Sequence, residues 1–294
     1  MIVKKSIGEK IFDAFNVIFL IFLMVISAYP LLYVLFASFS DPLRLMQNQG
    51  FLYKPLGFTL KGYEMVLKNP NILRGFANTL FYVVVGTSIN LFLTSISAYV
   101  LSRKGLLWGR PLMIMVTITM FFSGGLIPFY LLIDKLGMIN TRWAIVIPGA
   151  ISVWNLIVMR TSFMGIPDSL EESARIDGAN DFTILFKIIL PLSKATLAVM
   201  ALFYAVGQWN SWFNANMFLR DRAKYPLALV LREILISNDV KEMTSGAGQF
   251  VKDDAYKSLI QYCTIVVATV PILFVYPFLQ KHFVKGVMIG SVKG

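Results

Sequence analysis

The stretch Glu171–Pro191 reads EESARIDGANDFTILFKIILP and lies between two long apolar runs of the chain. Its charges, glycine and proline stand where helices begin and end. Pro167 stops any helix that leaves the preceding apolar run. Asp168 or Ser169 can then cap a new helix, and Ser169 and Glu172 have the spacing of a capping box. Glu171 adds a negative charge that favours a helix N-terminus. The pattern therefore predicts that a short helix starts here.

The second half of the stretch predicts another helix. Gly178 suits the left-handed conformation that closes a helix. Asn180 or Asp181 can cap a new helix over residues 182–189, and Pro191 ends it because the residue before a proline avoids helical geometry. The apolar residues of this helix follow the i, i+3, i+4, i+7 pattern and form one face: Phe182, Leu185, Phe186 and Ile189. This face could lie on the membrane surface, under a helix bundle, or in a groove of a cytoplasmic partner.

The composition is that of a membrane protein. Of the 294 residues, 57% are hydrophobic and only 15% are Asp, Glu, Lys or Arg, against roughly 25% charged residues in soluble domains. The net charge is +11, but the basic residues cluster beside the ends of apolar runs, as the positive-inside bias requires, so no nucleic-acid-binding face is indicated. Because spans in one bilayer form one bundle, a single domain over residues 1–294 is predicted.

Six stretches are apolar over about the 20 residues that a helix needs to cross the hydrocarbon core. They are residues 14–37, 76–101, 111–133, 143–159, 195–219 and 259–279. The fourth stretch is the shortest and carries Pro148 and Asn155. The first is too long for a signal-peptide core and is predicted to be retained. The predicted fold class is an all-α membrane protein with six transmembrane helices and a helical loop at 167–191.

The basic residues next to the spans predict the orientation of the chain. They are Lys4, Lys5 and Lys10 before the first span, Arg103, Lys104 and Arg110 after the second, and Lys281, Lys285 and Lys293 after the sixth. Both termini and the loop at 167–191 are then expected in the cytoplasm. Residues 38–75 and 220–258 are expected on the outer side.

Several function classes are disfavoured by what the chain lacks. It has no G-x-x-x-x-G-K-[ST] motif, so ATP binding by a phosphate loop is not expected. With Cys263 and His282 as the sole cysteine and histidine, neither a disulfide nor a His/Cys metal site is expected. The six stretches carry essentially no ionisable residues, which argues against an ion-coupled transporter. Neighbouring carboxylates such as Glu171 and Glu172 point apart on a helix, so no acid/base pair and no enzyme activity are predicted.

The quoted stretch resembles the cytoplasmic EAA loop of the membrane subunits of bacterial ABC importers. The resemblance rests on Glu172 and Ala174, then on Asp177, Gly178 and Ala179, and finally on Ile188, Leu190 and Pro191. Ser173 stands where the family more often has alanine. Residues 58–82, 123–148 and 283–294 resemble the carbohydrate branch, with subunits similar to the maltose importer's second membrane subunit and to those for complex oligosaccharides.

The resemblance implies a type I importer in the bacterial inner membrane. Its expected partners are a second, homologous membrane subunit, two cytoplasmic ATPase subunits that bind ATP and Mg, an extracellular solute-binding protein and a saccharide. The loop would form a coupling helix in a cleft of the ATPase. The coupling residues it implies are Glu171, Glu172, Ala174, Asp177, Gly178, Ala179, Leu190 and Pro191. Residues 285–294 are a second candidate contact with the ATPase.

Polar and aromatic residues within the spans are candidates for the substrate pathway. Asn155 lies in the fourth span, and Trp209, Asn210 and Asn214 lie towards the outer end of the fifth. Sugars stack on aromatic faces and bond to amides through their hydroxyls. An interfacial belt or helix contacts would explain the same residues. The second span has a polar side that could face the pathway or a partner helix, and the helix contact is favoured because small hydroxyl residues are common there. Its residues are Thr87, Ser88, Asn90, Thr94, Ser95 and Ser97.

Two alternatives remain open at this level. An importer subunit for another solute, such as peptides or phosphate, would carry the same loop. A membrane scaffold or channel would explain the spans, but it would not need a capped pair of helices between them.

Overall fold

The computed structural model describes residues 6–236 and 255–274, and the regular structure in these ranges is helical, as predicted. In chain order the helices are α1 (Ile7–Ser38), α2 (Pro42–Gln47), α3 (Lys61–Lys68), α4 (Pro70–Ser102), α5 (Gly109–Phe121), α6 (Leu126–Lys135), α7 (Trp143–Val146), α8 (Val153–Met164), α9 (Asp168–Ile176), α10 (Asp181–Leu192), α11 (Lys194–Trp209), α12 (Trp212–Phe218), α13 (Leu227–Ile236) and α14 (Ala255–Phe274). The predicted all-α membrane fold is confirmed.

Within the described ranges, α1, α4 and α14 are each long and apolar enough to cross a membrane. Two pairs of helices pass the same test together but are bent, α5 with α6 by 113° and α10 with α11 by 88°. The first two predicted spans lie within α1 and α4. The third bends where Gly125 adopts a φ of 87°, a conformation that favours glycine.

The fourth predicted span, 143–159, is not one helix, and this part of the prediction is wrong. The chain leaves α7 at Val146 and re-enters helical geometry only at Val153. Pro148 lacks a backbone N–H, and the Ser152 hydroxyl accepts from the Asn155 N–H to start α8. The fifth span is also interrupted, between Trp209 and Trp212.

Some predictions concern residues outside the described ranges. They are the last part of the sixth span (275–279), His282, the tail at 283–294, and the basic residues Lys4, Lys5, Lys281, Lys285 and Lys293.

Contacts divide the chain into two compact units. One consists of Met1–Asn69 with Ile234–Thr269, and the other of Pro70–Glu233 with Val270–Gly294. In the first unit, Gly62 packs so closely on α14 that an added Cβ would lie 2.6 Å from the sulfur of Cys263. The Ser38 and Tyr63 hydroxyls share a hydrogen bond of 2.7 Å beside this contact.

The second unit has a hydrophobic core at the C-terminal end of α4. Its buried side chains come from α4, α8, α10 and α11: Ala98, Tyr99, Leu156, Met159, Phe163, Ile184, Leu185, Ile189 and Met200. The helix α10 is therefore anchored under the helical bundle of its own chain, which is one of the three destinations that its apolar face left open.

The helix α10 differs from its prediction in length and in its buried face. It contains a π turn at Leu185–Ile189 and continues through Pro191 to Leu192. A π turn displaces the carbonyl that a proline ring would otherwise meet, so Pro191 does not end the helix. The same turn shifts the buried face to residues with five-residue spacing, Ile184 and Ile189, and leaves Phe182 and Phe186 65% and 44% exposed.

Candidate functional site

The loop between α8 and α11, residues 168–192, is a helix–turn–helix unit that we call the coupling loop. The helix α9 ends in a Schellman motif, in which the Gly178 N–H donates to the Arg175 carbonyl (3.0 Å) and the Ala179 N–H to the Ala174 carbonyl (2.9 Å). Gly178 has a φ of 82°, as predicted. The Asn180 side chain accepts from the Thr183 N–H at 2.8 Å and caps α10. The turn is thus held by hydrogen bonds on both sides.

The predicted capping box at the start of α9 is not formed. Pro167 occupies the N-cap position, and no side chain caps the helix there. Because α9 begins at Asp168, Ser169 lies inside the first turn, where its hydroxyl is not placed to cap. Asp168 and Glu171 supply acidic charge in the first turn instead.

Glu171 is a buried anchor of the coupling loop. Its side chain pairs with Arg103, which follows α4, and with Arg175 at 3.0 Å. The Tyr99 hydroxyl donates to Glu171 Oε1 at 3.2 Å. The residue is only 8% exposed, so its carboxylate lies within the chain and is not available to a partner in this conformation.

Arg175 joins the two helices of the coupling loop. Its guanidinium pairs with Glu171 in α9 and with Asp181 in the first turn of α10. Arg103 also donates to the Ser102 hydroxyl and lies over the ring of Tyr99, with 4.8 Å between the guanidinium carbon and the ring centroid. We call Tyr99, Arg103, Glu171, Arg175 and Asp181 the anchor cluster. It connects the end of α4 to both helices of the loop.

A more exposed ion pair lies beside the anchor cluster. Lys104 donates to the carboxylate of Asp168, the first residue of α9. This hydrogen bond lowers the pKa of Asp168 and raises the pKa of Lys104. Because both groups face solvent, the pair contributes less to the position of the loop than Glu171 does.

The tip of the coupling loop is exposed. Glu172, Asp177 and Gly178 all face outward, and Ile176 is 86% exposed. Ile176 lies between Glu172 and Asp177 in the sequence, so the exposed tip presents one apolar and two acidic side chains.

The other predicted coupling residues support the loop from within. Ala174, Ala179 and Leu190 pack against the core of the second unit. Pro191 is exposed on the last turn of α10. The predicted set therefore consists of an exposed tip, a layer of small residues in contact with the core, and the buried Glu171.

A second polar site lies in the same unit, where the helices are interrupted. A cavity of about 550 Å³ is lined by the side chains of Asn90, Asn155, Gln208 and Asn214, and we call it the amide cavity. Of the residues predicted to line the pathway, Asn155 and Asn214 are thus brought together. Trp209 and Asn210 lie outside the lining: Trp209 contacts the ring of Phe76, and the Asn210 side chain donates to the Val206 carbonyl.

Sequence reasoning missed the roles of Arg103 and Tyr99. The sequence indicates only a topology charge at Arg103 and gives no signal at Tyr99, because their partner Glu171 is about 70 residues away in the chain. For Asn90 the sequence leaves the pathway and a helix contact open and favours the contact, whereas the structure places it in the lining of the amide cavity.

Comparison with known proteins supports the resemblance. The family described as binding-protein-dependent transport system inner membrane component matches residues 81–289. The polygalacturonan/rhamnogalacturonan transport system permease protein YtcP of Bacillus subtilis (strain 168) is 41% identical, over 97% of this chain and 99% of the relative. The protein LplC of the same organism is 42% identical, over 97% of this chain and 96% of its own length.

A solved structure agrees in fold and in sequence. A chain of a bacterial ABC transporter involved in the import of the acidic polysaccharide alginate superposes with a TM-score of 0.90 and 33% identity, over 96% of this chain and 99% of that chain. The sequence-based resemblance to membrane subunits of carbohydrate importers is confirmed. The protein therefore belongs to the family of inner membrane components of binding-protein-dependent transport systems.

Proposed function

We propose that this chain is one of two membrane subunits of an ATP-driven saccharide importer, and that its coupling loop docks on a cytoplasmic ATPase subunit. The observation that carries the proposal is the contrast within the loop between a clamped base and an uncovered tip. The base is held by Glu171 and Arg175, whereas Glu172, Ile176 and Asp177 face outward.

The rigidity of the loop suits the transfer of a displacement. A flexible connection would absorb a movement of the ATPase, while hydrogen bonds at Gly178 and the ion pairs of Arg175 hold α9 and α10 as one body. The anchor cluster passes movement to α4, and α10 continues directly into α11 through Ser193. ATP binding to the partner would then be the ligand that distinguishes two states of the membrane helices.

The chemistry of the tip describes the surface that it would meet. An exposed isoleucine between two carboxylates fits a groove with an apolar floor and basic edges. The chain contains no phosphate-loop motif, so ATP and Mg would be bound by the ATPase subunits, and this chain would carry out no reaction of its own.

The remaining partners follow from the family and its relatives. The family is described as binding-protein-dependent, and the relatives YtcP, AraQ and GanQ are named for the transport of saccharides. We therefore assign a second membrane subunit, an extracellular solute-binding protein and a saccharide. The basic residues beside the spans support an inner-membrane location with both termini in the cytoplasm.

Cysteine crosslinking tests the docking surface. Cys263 is the sole native cysteine and is fully buried, so an Asp177→Cys variant would carry one reactive thiol. With a short thiol-to-amine reagent, this variant should crosslink to the ATPase subunit in membranes that contain the whole importer. Arg220→Cys, an exposed position on the predicted outer side, is the matched control. Crosslinking from residue 220 but not from residue 177 would contradict the proposed docking surface.

Uptake measurements test the solute class. Cells that express the importer with its binding protein should accumulate oligosaccharides, and cells without this chain should not. Accumulation of peptides or phosphate in place of saccharides would favour the alternative solutes and refute this part of the proposal.

A further inference from the structure

The amide cavity contains buried polar groups whose bonding is incomplete. Asn90 is 2% exposed, and its Oδ1 atom has no hydrogen-bond partner among the described residues. Asn155 and Gln208 are also buried. A buried carbonyl oxygen without a partner is unfavourable, but this oxygen is itself enclosed. What Asn90 gives the cavity is one amide among several that line it.

The backbone around the cavity supports the same interpretation. The segment between α7 and α8 and the break between α11 and α12 both border it, at Gly149, Ser152 and Ser211. Non-helical backbone at membrane depth is tolerated where it is buried in protein or lines an aqueous cavity. Broken helices of this kind form the substrate sites of many transporters.

Tyr204 fixes the position of this irregular segment. Its hydroxyl accepts from the Ser152 N–H at 3.1 Å and shares a hydrogen bond of 2.6 Å with Thr94 in α4. Asn155 follows directly on the first turn of α8. The irregular segment that borders the cavity is thus held to α4 and α11 by hydrogen bonds.

The lining defines the chemical class of the ligand. Amides and hydroxyls can each donate and accept, as sugar hydroxyls require. Trp154 and Phe203 add aromatic faces that can stack on a sugar ring. Among the described lining residues none carries a charge. A carboxylate would be desolvated here without a cation to offset the cost. The volume lies within the range of roughly 300–1,000 Å³ that is usual for small-molecule sites.

We propose that the amide cavity is a saccharide subsite within this subunit and that it recognises ring hydroxyls rather than carboxylates. The inference rests on the proposed function, since it takes the solute to be a saccharide. If the imported polymer is acidic, as in the alginate transporter with a similar chain, its charges would be recognised outside this cavity.

Thiol protection tests occupancy directly. An Asn214→Cys variant of the importer is purified in lipid nanodiscs, and its labelling by a small thiol reagent is followed over time. The native complex, treated with the same reagent, gives the background rate. Galactotriose and trigalacturonate are the probes. Their sugar units differ at position 6, which is a hydroxymethyl group in galactose and a carboxylate in galacturonate. Millimolar galactotriose should slow labelling several-fold, and trigalacturonate should protect less, because its carboxylates would lose hydration in a cavity without cations. Asn210→Cys, just outside the cavity, should not be protected.

Two leucine variants then test the named side chains. Asn90→Leu and Asn155→Leu should abolish the protection and lower the initial rate of saccharide uptake by about tenfold, the factor expected for one or two lost hydrogen bonds. ATP hydrolysis stimulated by the loaded binding protein should persist. Asn210→Leu should transport normally. The milder Asn214→Ala variant, at a half-buried position, provides a second test if a leucine variant fails to fold.

The outcomes separate the two proposals. If the importer takes up saccharides but no probe protects residue 214, or if the leucine variants transport normally, the subsite is refuted while the proposed function stands. Protection by trigalacturonate alone would refute hydroxyl recognition. Loss of the second membrane subunit on purification of Asn90→Leu would show a packing role instead. If no saccharide is imported by the native complex, the proposed function fails and the subsite fails with it.

Discussion

The anchor cluster and the amide cavity are both polar sites within the second compact unit, but they differ in charge and in hydrogen bonding. In the anchor cluster, Glu171 accepts hydrogen bonds from Tyr99, Arg103 and Arg175. In the amide cavity the side chains are neutral, and the Oδ1 of Asn90 lacks a partner among the described residues. One site has its bonds completed within the chain, and the other does not.

This difference indicates what each site is suited to do. Polar groups that are fully paired hold elements in position, because each possible displacement breaks a charge-assisted bond. Neutral amides that line a cavity can donate hydrogen bonds to a ligand and accept them from it. The anchor cluster is therefore suited to transmit a movement, and the amide cavity to accept a solute.

The largest expected effect is a difference in stability between variants of two adjacent carboxylates, Glu171 and Glu172. Replacing Glu171 with Gln leaves Arg103 without its counter-charge and Arg175 with Asp181 alone. We expect a loss of about 2 kcal/mol in the free energy of unfolding, below the range for fully buried pairs. Glu172→Gln, at an exposed neighbouring position, should change stability by less than about 0.5 kcal/mol. Thermal unfolding of the purified protein measures both. Equal stability losses would show that the anchor cluster does not hold the loop.

The turn of the coupling loop should show a smaller effect that arises from the backbone alone. Gly178 has a left-handed φ of 82°, and a Cβ added there would meet no atom of another residue within 4 Å beyond its chain neighbours. We expect Gly178→Ala to cost about 1–2 kcal/mol of stability through conformational strain, measured by thermal unfolding. Gly105→Ala is the control, because Gly105 also has open space around it but no left-handed φ. The larger Gly178→Arg should in addition uncouple ATP hydrolysis from uptake, and normal uptake would contradict docking at the tip.

Next in size is a packing effect at the amide cavity. A Cβ on Gly86 would lie 2.8 Å from Nε2 of Gln208, so Gly86→Ala must displace that side chain. Because the side chain is flexible, we expect a stability loss of about 1 kcal/mol and a several-fold change in saccharide uptake. The double variant with Gln208→Ala should recover the stability, as a double-mutant cycle would measure. Additive losses would show that the two residues do not interact.

The smallest effect concerns the exposed pair of Lys104 and Asp168. The hydrogen bond from Lys104 lowers the pKa of Asp168 from its usual 3.8. The contribution of this carboxylate to stability is thus present above about pH 4 and is lost as the pH falls through the lowered pKa. Unfolding temperatures measured across this acidic range should fall slightly less steeply for Asp168→Asn than for the native protein. An identical acid dependence would show that the pair contributes nothing.

Local features of the fold could be predicted from the sequence because their causes are local. The spans at 14–37 and 76–101 depend on the length and apolarity of continuous runs, and the turn at Gly178 on the conformational freedom of one residue. Three local predictions were nevertheless wrong, and the first is the capping box of Ser169 and Glu172, which is not formed. The π turn at Leu185–Ile189 allows Pro191 to lie within a helix, and no propensity of these residues predicts such a turn. The chain leaves helical geometry at Val146 and re-enters it only at Val153, which is a longer break than Pro148 alone would predict.

The candidate sites could be predicted only in part. The motif that contains Glu172 and Gly178 identified the loop, but the resemblance grouped Glu171 with the residues expected to contact the ATPase. The burial of Glu171 depends on Arg103, in a distant part of the chain. Likewise, the sequence names Asn155 and Asn214 as candidates for the pathway. That Asn90 lines the same cavity depends on the packing of α4 against the interrupted helices.

The sequence by itself determined that this is a helical membrane protein with a capped loop of the importer type, because apolar length, helix caps and motif spacing act between near neighbours. Only the tertiary structure decided which of two adjacent glutamates is an anchor and which amides share a cavity. The burial and the pairing of a polar side chain depend on groups from other helices, and no run of consecutive residues contains that information.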